Sequence, residues 1–373
     1  MKQIYLDHAA TTRPEPEVVA AMCECMKNSY ANPSAVYGAA GFARKELRKA
    51  KGILADMLGC TMQEIYFTSG GTEANNWALM QAAGRHAVVS AIEHRSVLLA
   101  AKKWGCEITQ VAPGRDGCID PATIEAAIRP ETALISVQYA NNETGVLQPS
   151  AKIGKIAKKH GVRYHCDAVQ AFGHVPINTN ELQADFISVS AHKLYGPRGI
   201  GFLYIRQGVK ALPLIVGGGQ EDNLRAGTEN IAAICGLGVA AGLAADDMYE
   251  RGKRELRLRE LLISLLSEAT PEVTELCGSA VRLPGISALL LPGLTSEEAI
   301  ARLDLRGIMV SGGAACAGGS PEPSHVFRTI GLSDEQARCV IRISTGRDTT
   351  EQDITAAAAA LADIYSARAS RAN

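Results

Sequence analysis

Asp185-Phe186-Ile187-Ser188-Val189-Ser190-Ala191-His192-Lys193, running on to Gly196-Pro197, decides how this chain is read. The apolar, β-branched run marks a buried strand, and the Gly/Pro turn ends it. Lys193 therefore stands at the tip of that strand, where burial favours a neutral, nucleophilic amine. Working outward, Asp167 and Gln170 follow a second strand-like run. Further upstream, Thr68-Ser69-Gly70-Gly71-Thr72-Glu73 is a Gly-rich turn that opens a helix. Backbone N–H groups at a helix start, with the positive end of its dipole, make a phosphate site.

Around this stretch, short β-branched runs alternate with longer helical patterns, the signature of an α/β protein with a mostly parallel sheet. Seven strands are predicted: Glu64 to Phe67, Ala87 to Ser90, Glu107 to Val111, Ala133 to Gln138, Val162 to Cys166, Asp185 to Val189 and Gly201 to Ile205. Helices are predicted at Gly41 to Leu58, Thr72 to Ala83, Ser96 to Trp104 and Ser150 to His160, with the last strand pair a candidate break in the parallel order. A long helical region follows from Glu229 to Leu266, its mixed charges at 250–260 reading as a solvated face. We place a domain boundary inside it: 13–247 as a large domain, 248–373 as a smaller α/β domain, with segment 1–12 packing on the latter. The small domain is predicted to hold strands at Ser287 to Leu291 and Cys339 to Ser344. Its alanine run, Ala356 to Ala360, reads as helix.

Composition narrows the function classes. A length of 373 residues suggests two domains, and 47% hydrophobic content supports a sizeable core. The net charge of −1 gives no electrostatic reason to expect nucleic acid or an acidic membrane. No apolar run reaches the ~18 residues of a membrane span, and no signal peptide is visible. Ten scattered cysteines then read as reduced thiols, and the expected location is cytoplasmic. Cys23 and Cys25 point to different sides of a helix, so no metal site is expected.

Lysine, aspartate and a phosphate-cradling turn are the parts needed to hold pyridoxal 5′-phosphate (PLP). Lys193 would form the Schiff base. Alternation places His165 and Asp167 on one strand face. A buried aspartate without a cation is costly, and a pyridinium nitrogen would be that cation; a helix N-cap is the alternative role. Arg342 lies in Cys339-Val340-Ile341-Arg342-Ile343-Ser344, and an inward arginine needs an anion. Its planar fork suits an amino-acid carboxylate, though an internal salt bridge would also satisfy it. Cys316 lies in Ser311-Gly312-Gly313-Ala314-Ala315-Cys316-Ala317-Gly318-Gly319-Ser320-Pro321, a segment poor in large side chains.

Together these motifs resemble the NifS/IscS-type cysteine desulfurases, class V members of the fold-type I PLP enzymes. The likeness runs from Tyr5-Leu6-Asp7-His8-Ala9-Ala10-Thr11-Thr12 to Arg347. It takes in Asn32-Pro33-Ser34, Glu93-His94, Asn141-Asn142-Glu143, Asp167 to Gln170, Ser190 to Pro197, Arg225-Ala226-Gly227-Thr228 and Arg342-Ile343-Ser344. The resemblance implies a homodimer taking sulfur from L-cysteine, with alanine as product and a persulfide on Cys316. It makes Gly71, Thr72, Ser190 and His192 phosphate ligands, with Thr228 added from the second subunit. It makes His94 the residue stacked on the ring, and Gln170 and Asn142 contacts to the cofactor's phenolic oxygen, with Asn141 the weaker of the neighbouring amides. Arg342 and Asn32 would hold the substrate carboxylate. The implied sulfur acceptor is an iron–sulfur scaffold or a tRNA-thiolation protein, docked in longer members by a further C-terminal tail. One departure stands out: the family's Ser-Ala-Cys-Thr/Ser is Ala314-Ala315-Cys316-Ala317 here. The alternatives are a selenocysteine lyase or a class V aminotransferase on the same fold, or a non-catalytic sulfur-delivery or regulatory protein. An aminotransferase needs no Cys316.

Overall fold

The computed structural model describes residues 3–313 and 322–369; Cys316 lies outside the described residues. The chain opens with a short strand, β1 (Ile4–Tyr5), and two helices, α1 (Pro16–Asn28) and α2 (Ala40–Leu58). Proline starts α1 at no cost, because the first N–H groups of a helix have no internal partner. α2 stops at Gly59, whose φ of 64° lies in the left-handed region that glycine tolerates best.

Strands and helices then alternate: β2 (Ile65–Thr68), α3 (Gly71–Met80), β3 (His86–Ser90), α4 (Arg95–Lys103), β4 (Glu107–Val111), α5 (Pro121–Ala126), β5 (Thr132–Ser136), α6 (Ser150–His160), β6 (Arg163–Asp167), α7 (Thr179–Leu182), β7 (Phe186–Ser190) and β8 (Gly201–Ile205). The seven strands β2 to β8 form one sheet in the order β2-β8-β7-β6-β5-β3-β4. Its pairs are parallel except at β8, which runs antiparallel to both neighbours. The predicted α/β class and mostly parallel sheet are thus present, and the break falls in the final strand. Strands β3, β5, β7 and β8 are buried at every residue. Covered on both faces, they read as apolar runs rather than alternations.

A 39-residue helix, α8 (Ile231–Ala269), leads into the rest of the chain. There follow β9 (Thr274–Glu275), β10 (Ile286–Leu290), α9 (Ser296–Asp304), β11 (Ile308–Met309), α10 (His325–Thr329), α11 (Asp334–Arg338), β12 (Val340–Ser344) and α12 (Glu351–Ala369). Strand β10 lies between β12 and β9, antiparallel to both, while β1 pairs in parallel with β11. The alanine run sits inside α12. By length and composition alone α8 is apolar enough to cross a bilayer, a feature the sequence reading missed. Its first half instead packs against α1 and α2, burying Ile234, Leu237, Ala241 and Ala244 in the core under the large sheet. Its second half places Leu258, Leu262 and Leu266 in another core, shared with Leu6, Ile341 and Leu361.

Between the two cores the expected solvated face of α8 is interrupted. Arg251 and Glu255 are both buried, each 3% exposed. Arg251 pairs with Asp247 at 2.6 Å and donates to the main-chain oxygen of Gly173. Arg347 reaches the same Asp247 at 2.9 Å and Glu15 at 2.9 Å. Mixed charges in sequence look alike whether they face water or one another, so this network was invisible to the pattern.

Candidate active site

A cavity of about 180 Å³ opens at the C-terminal ends of β6 and β7, beside the start of α3. Open α/β sheets bind ligands at this end because strand ends and helix N-termini converge there. Lys193, Asp167, His94, Gln170, Gly71, Thr72, Asn142, Ser190, His192 and Arg342 all line it. They come from residues 71 to 342, and the sheet topology brings them together.

Asp167 ends β6 and is 6% exposed. Its Oδ1 accepts from the Val169 N–H at 2.9 Å and its Oδ2 from Asn75 Nδ2 at 2.7 Å. Burial pushes its carboxyl pKa up, against the Val169 hydrogen bond and the fields of His94 and Lys193. Asn75 Nδ2 also donates to Ser96 Oγ at 2.8 Å, and Ser96 Oγ meets His94 Nδ1 at 2.7 Å. The Ser96 N–H donates to the same Nδ1 at 3.1 Å, so that nitrogen carries no hydrogen. Asp167 and His94 are therefore oriented through one chain of side chains. His165, two residues before Asp167, takes no part in the cavity wall. It is locked between Ser136 Oγ at 2.8 Å and Ser188 Oγ at 2.9 Å, and burial drives its pKa down to about 3.

Lys193 Nζ donates to the main-chain oxygens of Ala9 and Ala10. His192 Nδ1 lies 3.2 Å from Thr11 Oγ1, and burial beside Lys193 and Arg198 lowers its pKa to about 4. The turn into α3 passes close to the loop after β6. A Cβ on Gly71 would lie 2.6 Å from Val169 Cγ2, so no larger residue fits this approach. Glu73 fixes the turn, accepting from the Ser69 N–H at 2.7 Å and pairing with Arg225 at 2.9 and 3.1 Å.

Arg342, 1% exposed, donates to Asp7 Oδ1 at 2.6 Å and to the main-chain oxygen of Asn142 at 2.8 Å. Its Nε has no partner among the described residues. The internal salt bridge weighed from sequence thus exists, and it leaves one guanidinium nitrogen without a partner among the described residues. Asn141 contributes its amide to the local turn, accepting from Glu143 N and Thr144 N. Asn142 is the neighbour that faces the cavity. Two predicted residues are not part of the lining: Asn32 is exposed and caps Ser34 N at 2.9 Å, and Thr228 is exposed ahead of α8.

Sequence reasoning missed Asn75, Ser96, Glu93, Glu143 and His325. Glu93 and Glu143 lay inside quoted motifs, but nothing in their spacing pointed to a cavity. Glu93 is fully buried, with Oε1 accepting from Gln138 N at 2.8 Å and Oε2 without a hydrogen-bond partner among the described residues. Burial raises its pKa well above the usual carboxylate range. Glu143 accepts from Ser324 Oγ at 2.6 Å, and burial raises its pKa too.

These residues fit PLP. Asp167 offers a buried carboxylate to a cationic ring nitrogen. Gln170 lines the same space, and its buried Oε1 has no hydrogen-bond partner among the described residues. The start of α3 offers main-chain N–H groups to a phosphate. The fold and site together define a fold-type I PLP enzyme. Residues 4–356 match the family described as Aminotransferase class-V, and the chain belongs to that family. It is a PLP-dependent enzyme. It is 41% identical to cysteine desulfurase IscS of Dictyoglomus turgidum, over 95% of this chain and 92% of that protein. A NifS-like protein from Rickettsia africae superposes with a TM-score of 0.91 at 34% identity, covering 98% of this chain and 100% of the other. SspA, solved in complex with cysteine, superposes with a TM-score of 0.78 at 33% identity, covering 92% and 98%.

Proposed function

We propose that this chain is a cysteine desulfurase, taking sulfur from L-cysteine, releasing L-alanine and leaving a persulfide on Cys316. The meeting of Lys193, Asp167 and Arg342 in one cavity carries this reading, in a chain whose near-full-length relatives bear that name. Gly71, Thr72, Ser190 and His192 would hold the cofactor phosphate, Asp167 and His94 its ring, and Gln170 and Asn142 its phenolic oxygen. When bound, PLP supplies a protonated ring that takes up the electron pair left at the substrate α-carbon. Lys193, which anchors the cofactor, moves the α-proton once cysteine has replaced it. Arg342, which lines the cavity, orients the substrate carboxylate. Cys316, as thiolate, attacks the substrate sulfur. The Cβ–Sγ electron pair stays on carbon, which takes a proton to become the alanine methyl group.

The enzyme acts as a cytoplasmic homodimer, with a large domain to residue 247 and a small domain beyond it. Thr228, exposed in the single chain, would contribute to the partner's phosphate site. The exposed apolar residues Tyr30, Val36 and Val216 favour a partner subunit. The persulfide passes to an acceptor protein, an iron–sulfur scaffold or a tRNA-thiolation protein.

Cys316→Ser separates this reading from an aminotransferase. Near neutrality only the thiol, with a pKa of roughly 8.5, presents useful anion. The variant should bind PLP and cysteine and exchange the α-proton, yet form neither catalytic alanine nor a persulfide by mass. Wild-type alanine production would overturn the reading.

A further inference from the structure

Asn75, Ser96, His94 and Asp167 all line the cavity, and they come from three elements: α3, the start of α4 and the end of β6. Asn75 is 1% exposed, and its Oδ1 has no hydrogen-bond partner among the described residues. Its Nδ2 serves two neighbours at once, Asp167 Oδ2 at 2.7 Å and Ser96 Oγ at 2.8 Å. An ionised carboxylate only accepts, so the amide turns its NH2 group toward Asp167, and the direction of every later bond follows. Ser96 Oγ receives the second Asn75 hydrogen, which leaves its own hydrogen for His94 Nδ1, 2.7 Å away. The Ser96 N–H meets the same nitrogen from 3.1 Å. A hydrogen on Nδ1 would face both of these donors, so the neutral ring carries its hydrogen on Nε2. For the same reason a proton added at Nδ1 would break two bonds at once.

We propose that Asn75 and Ser96 are positioning residues that make His94 a fixed hydrogen-bond donor at Nε2, rather than a base, and join its ring to the Asp167 carboxylate as one unit. The proposal rests on the reading in which Asp167 and His94 hold the cofactor ring. The two residues that meet the ring then share one orientation, set by side chains that need not touch cofactor or substrate. Weakening the Asp167 end of the chain loosens the His94 end, because each hydrogen in it has only one place to go. Ser96 is the link that can be cut most cleanly. Its backbone N–H still caps α4 when its hydroxyl is removed.

Ser96→Ala is the test, and alanine is the better helix former in this first turn, so the fold should hold. In the PLP-loaded enzyme, exchange of the cysteine α-proton with deuterium should slow about tenfold, the worth of one well-placed hydrogen bond. The KM for cysteine should hold, and Ser96→Thr, which keeps the hydroxyl, should restore the rate. The full chain labelled with nitrogen-15 histidine gives a readout besides activity, with His94→Gln assigning the signals. At about pH 8, above the ordinary histidine range, the wild-type His94 ring should be the Nε2–H tautomer. Asp167→Asn should move its Nδ1 signal, and by less when Ser96→Ala has already cut the bonded route. An Nδ1–H ring in the wild type would overturn the proposal. So would an equal displacement in both backgrounds, or wild-type exchange by Ser96→Ala. Should Ser96→Ala fail to fold, the wild-type tautomer decides: Nε2–H supports the proposal and Nδ1–H sinks it. The α-proton leaves before sulfur does, so a wild type that exchanges it but releases no alanine overturns the desulfurase reading alone. The exchange rate of Ser96→Ala then still decides the proposal.

Discussion

Asp167 and Arg342 line one cavity and carry their charges in opposite ways. Asp167 ends a central strand of the large sheet, and its partners are an amide and a main-chain N–H. Arg342 belongs to the small antiparallel sheet and already has Asp7 at 2.6 Å. An unbalanced buried carboxylate is costly until a cation arrives. A balanced arginine is stable as it stands, with its buried Nε left without a hydrogen-bond partner among the described residues. The large-sheet wall thus holds a carboxylate with no cationic side chain hydrogen-bonded to it among the described residues, while the small-sheet wall holds an arginine already paired with Asp7.

Asp167→Asn should break this contrast most severely. The amide keeps the shape, but its single oxygen can accept from only one of Val169 N–H and Asn75 Nδ2, and it cannot balance a ring cation. Turnover should fall by roughly 10²–10³-fold, the size of effect that loss of one preorganised electrostatic partner produces. PLP should remain visible by absorbance, and near-normal turnover would remove Asp167 from the mechanism. Arg342→Lys should have a smaller effect, confined to substrate. Lysine keeps the charge for Asp7 but loses the planar fork, so KM for cysteine should rise about tenfold. An unchanged KM would leave Arg342 a structural partner of Asp7 alone.

The smallest effect is expected where α8 passes between the two cores. Burial outweighs the attraction of Arg251 and pushes the Glu255 carboxyl from 4.5 up to about 7. The folded chain therefore holds this proton more tightly than the unfolded chain. Its contribution to stability is fully present below about pH 4.5 and is lost as pH rises through about 7. Glu255→Gln, which cannot ionise, should flatten that decline by on the order of 1 kcal/mol. Melting curves across this range give the check, and parallel curves would mean that Glu255 folds as an anion beside Arg251.

Much of the large sheet was legible because its strands are apolar runs between turns, and their ends carry the chemistry. The predicted strand Glu107 to Val111 and helix Ser150 to His160 match residue for residue. Lys193, Asp167 and the Gly71-Thr72 turn declared themselves by residue type and by position at element ends. The short strands β1, β9 and β11 were not seen, since two residues leave no periodicity to read. Arg251 and Glu255 misled for a different reason: helical charges give no sign of which neighbour they meet.

The sequence by itself determined the α/β alternation, the lysine and aspartate at strand ends, the phosphate turn and the family. These are local facts, since chain stiffness, turn chemistry and residue type act over a few positions. Only the tertiary structure decided that Asn75 and Ser96 link Asp167 to His94, that Asp7 answers Arg342, and that His325 joins the cavity through the Glu93 carbonyl. Those contacts join residues up to 335 positions apart. Hydrogen bonds and ion pairs act over a few ångströms of space whatever the chain distance, so only the folded arrangement reveals them.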